Sequence, residues 1–302
     1  MITPGRLWWL FNRERRRGIR GAWHYHVTLP KILNVVLPAP GPGPSAEVHM
    51  VTGEEYWKLG LWMAASFFHA TGRSWPIVIH DDGTCGKHAI AGIRRVIPFA
   101  RFISRIEADT EIESQLRNFR HIRTLRESFS LLLKLTDTQL LSSASKRLIL
   151  DCDMLFFRRP SEVLNWVEEL SPPNLFLTDV TDASAVPPEQ IQHQLGITLL
   201  ANMNSGLCAL GDGFLDLERI EEALEKTELL RAKRRWTVEQ TLFAILAGLQ
   251  LSRLLPKSYV VSVDRRTPKS AVMRHYIGKV RDLFYSEGLG IVAPTLIHEF
   301  SA

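Results

Sequence analysis

Apolar and polar positions follow two periods along most of this 302-residue chain. Short apolar runs of strand length alternate with longer stretches whose apolar residues recur at helical spacing. "EVHMV" at 47–51 predicts a strand and "EYWKLGLWMAASFFHA" at 55–70 a helix. "WPIVIH" at 75–80 predicts a second strand, closed by the turn residues "DDGT". The helix "GKHAIAGIRRV", the short strand "ARFISRI", a long helical stretch over 112–144 and the strand "RLIL" come next. "PSEVLNWVEEL" then predicts a helix, "NLFLTD" and "GLCALG" two strands, and "VEQTLFAILAGL" a helix. Strands separated by amphipathic helices predict an α/β fold with a mostly parallel central sheet. Such sheets bind ligands beyond the carboxyl ends of their strands. That rule directs attention to "VTG", "HDDG", "DCD" and the residues after "LFLTD".

Composition adds little until the charge is located. The chain is 45% hydrophobic and 23% charged, as expected of a globular protein with a sizeable core, and its formal net charge is +5. Residues 1–31 hold seven basic residues (Arg6, Arg13, Arg15, Arg16, Arg17, Arg20, Lys31) against one acid, Glu14. The remainder holds 30 basic and 31 acidic residues, so the excess belongs to an amino-terminal arm. The arm also carries Trp8, Trp9, Phe11, Trp23 and Tyr25, a composition suited to an anionic membrane surface or to a helix packed on its own domain. "LPAPGPGPSAE" at 37–47 continues neither helix nor central strand. The expected division is therefore a basic arm and linker at 1–45 and one domain at 46–302. Three scattered cysteines without a paired motif argue against a disulfide framework or structural zinc and for a reducing compartment. No apolar run approaches the ~18–20 residues needed to span a bilayer. The expected location is the cytoplasm, with peripheral contact at the inner membrane face through the arm.

The sharpest local feature is "RLILDCDMLFF" at 147–157, where Asp151 and Asp153 interrupt an apolar run. Two neighbouring carboxylates raise each other's pKa and are costly to bury without a cation. On a strand they would project together while Cys152 faces away. Arg158 and Arg159 could supply the counter-charge, which is the purely structural reading. The functional reading is a hard divalent ion, held by one or two carboxylates and completed by water and phosphate oxygens.

"LDCD" after an apolar strand, with Pro160 downstream, resembles the DxD motif of the GT-A nucleotide-sugar glycosyltransferases. "MNSGLCAL" at 203–210 is similar to that family's Asn-x-Gly strand, and "TVEQTLFAIL" at 237–246 to its acidic-Gln helix start. "HYIGKVRDLF" at 275–284 resembles the late His-x-x-Gly-x-x-Lys element, with Arg281 in the Lys place. Order and spacing agree over about 46–285, and the resemblance is to the retaining, lipopolysaccharide-galactosyltransferase-like branch. It implies a single GT-A-like domain and transfer of a sugar from a nucleotide-diphosphate donor, UDP-linked by preference, to a carbohydrate or lipid-linked acceptor. It implies Mn2+ (or Mg2+) on Asp151, Asp153 and His275. Gly278 would admit the phosphates, and Arg281, Lys279 or Lys134 would pair with them. Asp151 would also lie near the ribose, and Thr52 and Tyr56 would meet the nucleobase. Asn204, Ser205 and Gly206 would hold the sugar and acceptor. Glu239 would serve as base if the reaction inverts, and Gln240 would lie beneath the anomeric carbon if it retains.

Structural alternatives accompany these roles. Thr237 and Gln240 have the spacing of a helix capping box. Asn204–Gly206 could form a turn or bulge, and "HDDG" a plain turn. "RAKRR" at 231–235 reads as a solvated helix end or a contact for an anionic acceptor. Two other function classes are a sugar nucleotidyltransferase of related fold and a non-enzymatic basic module for membrane or nucleic acid. "VTGEEYWKLG" lacks the Gly-rich phosphate loop of the former, and no nucleic-acid partner is expected.

Overall fold

The computed structural model describes residue 15, residues 17–41 and residues 46–301. Trp8, Trp9, Phe11, the arginines Arg6, Arg13 and Arg16 and the middle of the Pro/Gly linker lie outside the described residues, as does the expected boundary near residue 45.

The central sheet has seven strands: β1 (Ala46–Thr52), β2 (Ile77–Asp81), β3 (Arg101–Ile103), β4 (Lys146–Leu150), β6 (Asn174–Thr178), β7 (Met203–Leu210) and β8 (Ser252–Leu254). Their spatial order is β3-β2-β1-β4-β7-β6-β8. All run parallel except β7, which is antiparallel to both β4 and β6. A second sheet, β5-β10-β9, joins β5 (Met154–Phe156), β9 (Tyr259–Val261) and β10 (Met273–His275).

Strand alternation explains why both faces of the central sheet are apolar. Leu148 and Leu150 of β4 pack into one core with Val48 and Met50 of β1, while Ile149 faces the other. The first core is covered by the helix Trp57–Thr71, whose residues are nearly all buried, and by the helix Gly290–Phe300. Gly72 ends the first of these helices at φ 67°, the left-handed position glycine adopts most readily. The second core is covered mainly by the helices Leu217–Lys226 and Arg235–Gly248.

The described part of the arm packs on this domain. Leu29, Ile32, Val35 and Leu37 join the first core, and Trp62 donates its indole N–H to the Leu29 carbonyl at 3.0 Å. Val35 bridges to Ser301, tying both ends of the described chain together. Arg17 lies over the Tyr25 ring at 3.5 Å and faces Asp282.

The predicted long helix over 112–144 is not formed. That region holds separate helices Arg105–Leu116, Arg120–Ser128 and Asp137–Leu140, with a 3-10 turn at Ser130–Lys134. The break has a use: Arg126 turns inward to hold the buried Asp137 through Nε at 2.8 Å and Nη2 at 2.6 Å. Lys134 consequently sits on the tight turn rather than on a helix face, pointing under the end of β4.

Candidate active site

The carboxyl ends of β1 and β4, the middle of β7 and the end of β10 meet at one place. Asp151 and Asp153 do not lie on a strand as expected; β4 ends at Leu150, and they occupy the turn before β5. They converge because both ends of that turn are pinned. Asp151 N–H donates to the Gly206 carbonyl at 2.8 Å, and Tyr276 N–H to the Asp153 carbonyl at 2.8 Å. Cys152 points away, toward the Val51 carbonyl. The antiparallel pairing of β5 with β10 sets His275 opposite Met154, beside Asp153. Oxygens of Asp151 and Asp153 and a nitrogen of His275 lie within 4.8 Å of one another. His275 Nε2 is 3.1 Å from Asp153 Oδ1 and 3.6 Å from Asp151 Oδ2.

The His275 ring is aimed by β7. Asn204 Oδ1 accepts the Gly206 N–H at 3.0 Å, so the Asn204 atom facing His275 Nδ1 at 3.1 Å is the same acceptor oxygen. Nδ1 must therefore be the donor, which leaves Nε2 directed at the two carboxylates. A Cβ at Gly206 would stand 2.4 Å from both His275 Cε1 and Nδ1, so only glycine leaves room for the ring. Asn204–Gly206 are part of strand β7, where pairing with β6 shifts from Phe176–Cys208 to Leu177–Asn204. This irregularity, one of the expected alternatives, frees Asn204 and Ser205 from plain alternation.

The counter-charges differ from the sequence expectation. Arg158 and Arg159 donate instead to the backbone carbonyls of Lys269 and Thr71. The Lys134 ammonium, buried, is 2.8 Å from Asp151 Oδ1 and 3.3 Å from Glu239 Oε1. Arg281 donates to Asp153 Oδ2 through Nε at 2.8 Å, with Nη2 also at 2.8 Å. These partners come from sequence positions far from the aspartates, whereas Arg158 and Arg159 were favoured only by proximity along the chain.

Electrostatics follow from burial and these pairs. Burial pushes Asp153 up, but the His275 and Arg281 charges outweigh it and hold the carboxyl below its ordinary value. Burial pushes His275 down, and Asp153 and Asp151 more than reverse that, so the imidazole is raised above its ordinary value. Burial pushes Lys134 down as well, yet Asp151 and Glu239 overcome it and stabilise the ammonium. One ammonium cannot compensate the half-buried Asp151 and the buried Glu239 equally. Burial raises Glu239 to about 7 despite Lys134 and the Ser205 hydroxyl, which donates to Glu239 Oε2 at 3.0 Å.

Gln240 does not cap its helix. The N-cap is Arg234 without a side-chain cap, and Thr237 bonds back to the Arg234 carbonyl. Gln240 Nε2 turns to Asp179 Oδ2 at 3.2 Å, which also accepts Asn204 Nδ2 at 2.9 Å. Asp179, half-buried just beyond β6, is a candidate site residue the sequence reading left unnamed. The strand-end rule had pointed at its segment, but nothing local marked this aspartate above Asp182.

The remaining expected residues also lie around this centre or at its edge. Thr52 is buried at the end of β1 beside the Cys152 thiol. Tyr56 Oη accepts a hydrogen bond from Arg281 Nη1 at 3.0 Å, and the guanidinium lies 4.9 Å from the Tyr56 ring centroid. Gly278 opens a 3-10 turn shared with Lys279, and a Cβ there would touch nothing within 4 Å. Asp81 accepts the Gly83 and Cys85 N–H groups, so "HDDG" is a turn here.

No protein-family model matches the sequence, and a comparison with curated proteins finds no match. Solved structures do. The chain is similar to the bifunctional glycosyltransferase WbbM, with a TM-score of 0.52 and 14% identity over 88% of this chain and 52% of that one. It is also similar to the galactosyltransferase LgtC in complex with donor and acceptor sugar analogues, at TM-score 0.49 and 15% identity over 85% and 96% of the two chains. Mouse xyloside xylosyltransferase 1 gives TM-score 0.47 and 12% identity over 78% of this chain and 98% of that one. The likeness to WbbM, together with the mixed seven-stranded sheet, gives this protein the GT-A glycosyltransferase fold.

Proposed function

We propose that this protein is a metal-dependent glycosyltransferase. It moves a sugar from a nucleotide-diphosphate donor, UDP-linked by preference, to a hydroxyl of a carbohydrate or lipid-linked acceptor. The observation that carries this reading is the convergence of Asp151, Asp153 and His275 beyond the carboxyl end of β4. The donor set fits a divalent ion: two carboxylates and one imidazole whose Nδ1 is already committed to Asn204. The imidazole favours Mn2+ over Mg2+, which prefers oxygen ligands. When bound, the ion supplies Lewis-acid neutralisation of the diphosphate leaving group.

The chain's own groups do the rest of the work. Arg281 and Lys279 pair with phosphate oxygens, and Gly278, with open space where a side chain would stand, admits them. Thr52 and Tyr56 form the nucleobase edge. Lys134 holds Asp151 in place from below. Asp179, Asn204 and Gln240 form a polar cluster whose partly exposed carboxylate orients the acceptor hydroxyl. Glu239 has both oxygens turned to Ser205 and Lys134, so it positions those groups rather than reaching a substrate. Gln240 then lies at the sugar, which favours the retaining course. A finer part of the reading is peripheral contact with an anionic membrane: Ile19 and Trp23 are 93% and 62% exposed on one side of a helical segment, close to the exposed Arg20.

The test is incubation of the purified chain with a panel of nucleotide sugars, with and without Mn2+, following release of the nucleoside diphosphate. Mn2+-dependent release from one donor, abolished in Asp153→Asn, supports the reading. Consumption of a nucleoside triphosphate with a sugar phosphate, and no diphosphate release, would replace it with nucleotidyl transfer.

A further inference from the structure

Arg281 holds Asp153 by more than charge. Its Nε and Nη2 both lie 2.8 Å from Asp153 Oδ2, while Nη1 reaches Tyr56 Oη at 3.0 Å. The other Asp153 oxygen faces His275 Nε2 at 3.1 Å. Both oxygens of the central carboxylate are thus engaged by the protein itself. An ion entering the cluster must compete with this guanidinium for the charge of Asp153. The same guanidinium is also the planar, multi-donor group best shaped for a diphosphate. Its side chain is 35% exposed, so it has room to turn outward. A lysine at 281 could not hold Asp153 through two nitrogens and Tyr56 through a third.

We infer that Arg281 is a positioning residue that couples metal binding to diphosphate binding by exchanging Asp153 for phosphate oxygens. Without diphosphate it occupies Asp153 and weakens uptake of the ion. An arriving diphosphate draws the guanidinium away and leaves the carboxylate to the ion. The two ligands therefore bind with positive and reciprocal coupling. This inference rests on the metal-dependent reading above and adds the route by which the two ligands communicate.

The test measures free Mn2+ by electron paramagnetic resonance, with the full chain, in the absence and presence of UDP or GDP. A protein-free titration corrects for the metal–nucleotide complex. In the wild type, one nucleotide should raise Mn2+ affinity about tenfold, within the usual range of coupled sites. In Arg281→Met, Mn2+ alone should bind several-fold more tightly, on the order of half to one decade, and the coupling factor should fall several-fold below the wild-type value, to what the direct attraction between ion and diphosphate supplies. Simple loss of a positive charge would instead raise affinity equally with and without nucleotide, so an unchanged coupling factor overturns the inference. Arg281→Lys keeps the charge and should still lose most of the coupling. If Arg281→Met fails to fold, Tyr56→Phe carries the test. Freeing Nη1 from its metal-free seat should tighten Mn2+ binding and shrink the coupling, and no change in either overturns the inference. Absence of Mn2+ uptake by the wild type under every condition would instead overturn the metal centre, and this inference with it.

Discussion

At the scale of single residues, one buried ammonium faces two carboxylates. Lys134 serves Asp151 and Glu239 together, and Glu239 is the less compensated of the two. Its folded-state value, near 7, stands above the ordinary 4.5. A carboxyl raised in this way adds stability below its unfolded value and loses that contribution as pH rises through about 7. Glu239→Gln should therefore gain stability relative to wild type as pH increases through that window, by at most about 3 kcal/mol. Urea midpoints measured from acid to neutral pH check the sign, and a constant difference between the two proteins would contradict it. Gly206 supports the opposite prediction, a local loss. The Cβ of Gly206→Ala would stand 2.4 Å from the His275 ring and must displace it. Mn2+ affinity should fall at least tenfold, taking the lower bound for loss of a ligand's orienting support, while circular dichroism stays native. The acids and the histidine of this cluster were legible as residue types at suggestive spacing. Lys134, Arg281 and Asn204 were named only as phosphate and sugar candidates through the family resemblance; their contacts with the aspartates and the histidine were not legible, because these form only through tertiary folding.

At the scale of elements, alternation and helical periodicity located most of the sheet. β1, β2, β4 and β6 formed close to their expected places because each buries apolar residues and is bounded by turn chemistry. Two kinds of element escaped. The stretch at 112–144 carries enough apolar residues to suggest one helix, yet the inward turn of Arg126 to Asp137 and the tight turn at Lys134 break it. The three-residue strands β5, β9 and β10 are too short to show a period, although β10 delivers His275. The arm contains an element of structural weight that its charge concealed. Ile32 is fully buried against the domain and lies on a 3-10 turn that precedes the linker. Ile32→Ala should cost about 2–5 kcal/mol in chemical denaturation, as for other core truncations. A change within experimental error would mean that the arm is not part of the folded core.

At the scale of the whole molecule, the fold brings four separate chain segments together beyond the carboxyl end of β4. The turn after β4 delivers the aspartates, β7 the asparagine that orients the histidine, β10 the histidine itself, and the second turn of Arg235–Gly248 the Glu239–Gln240 pair. Buried Asp153 is balanced by His275 and Arg281, and the neighbouring Asp151 by Lys134. The most direct measurement is calorimetric titration of the wild type and Asp153→Ala with UDP and with GDP, each with and without Mn2+. The expected result is binding of one nucleotide that requires Mn2+ and disappears in the variant. Absence of binding by the wild type under all four conditions would contradict it, and would leave the two aspartates as a structural pair held by Lys134 and Arg281.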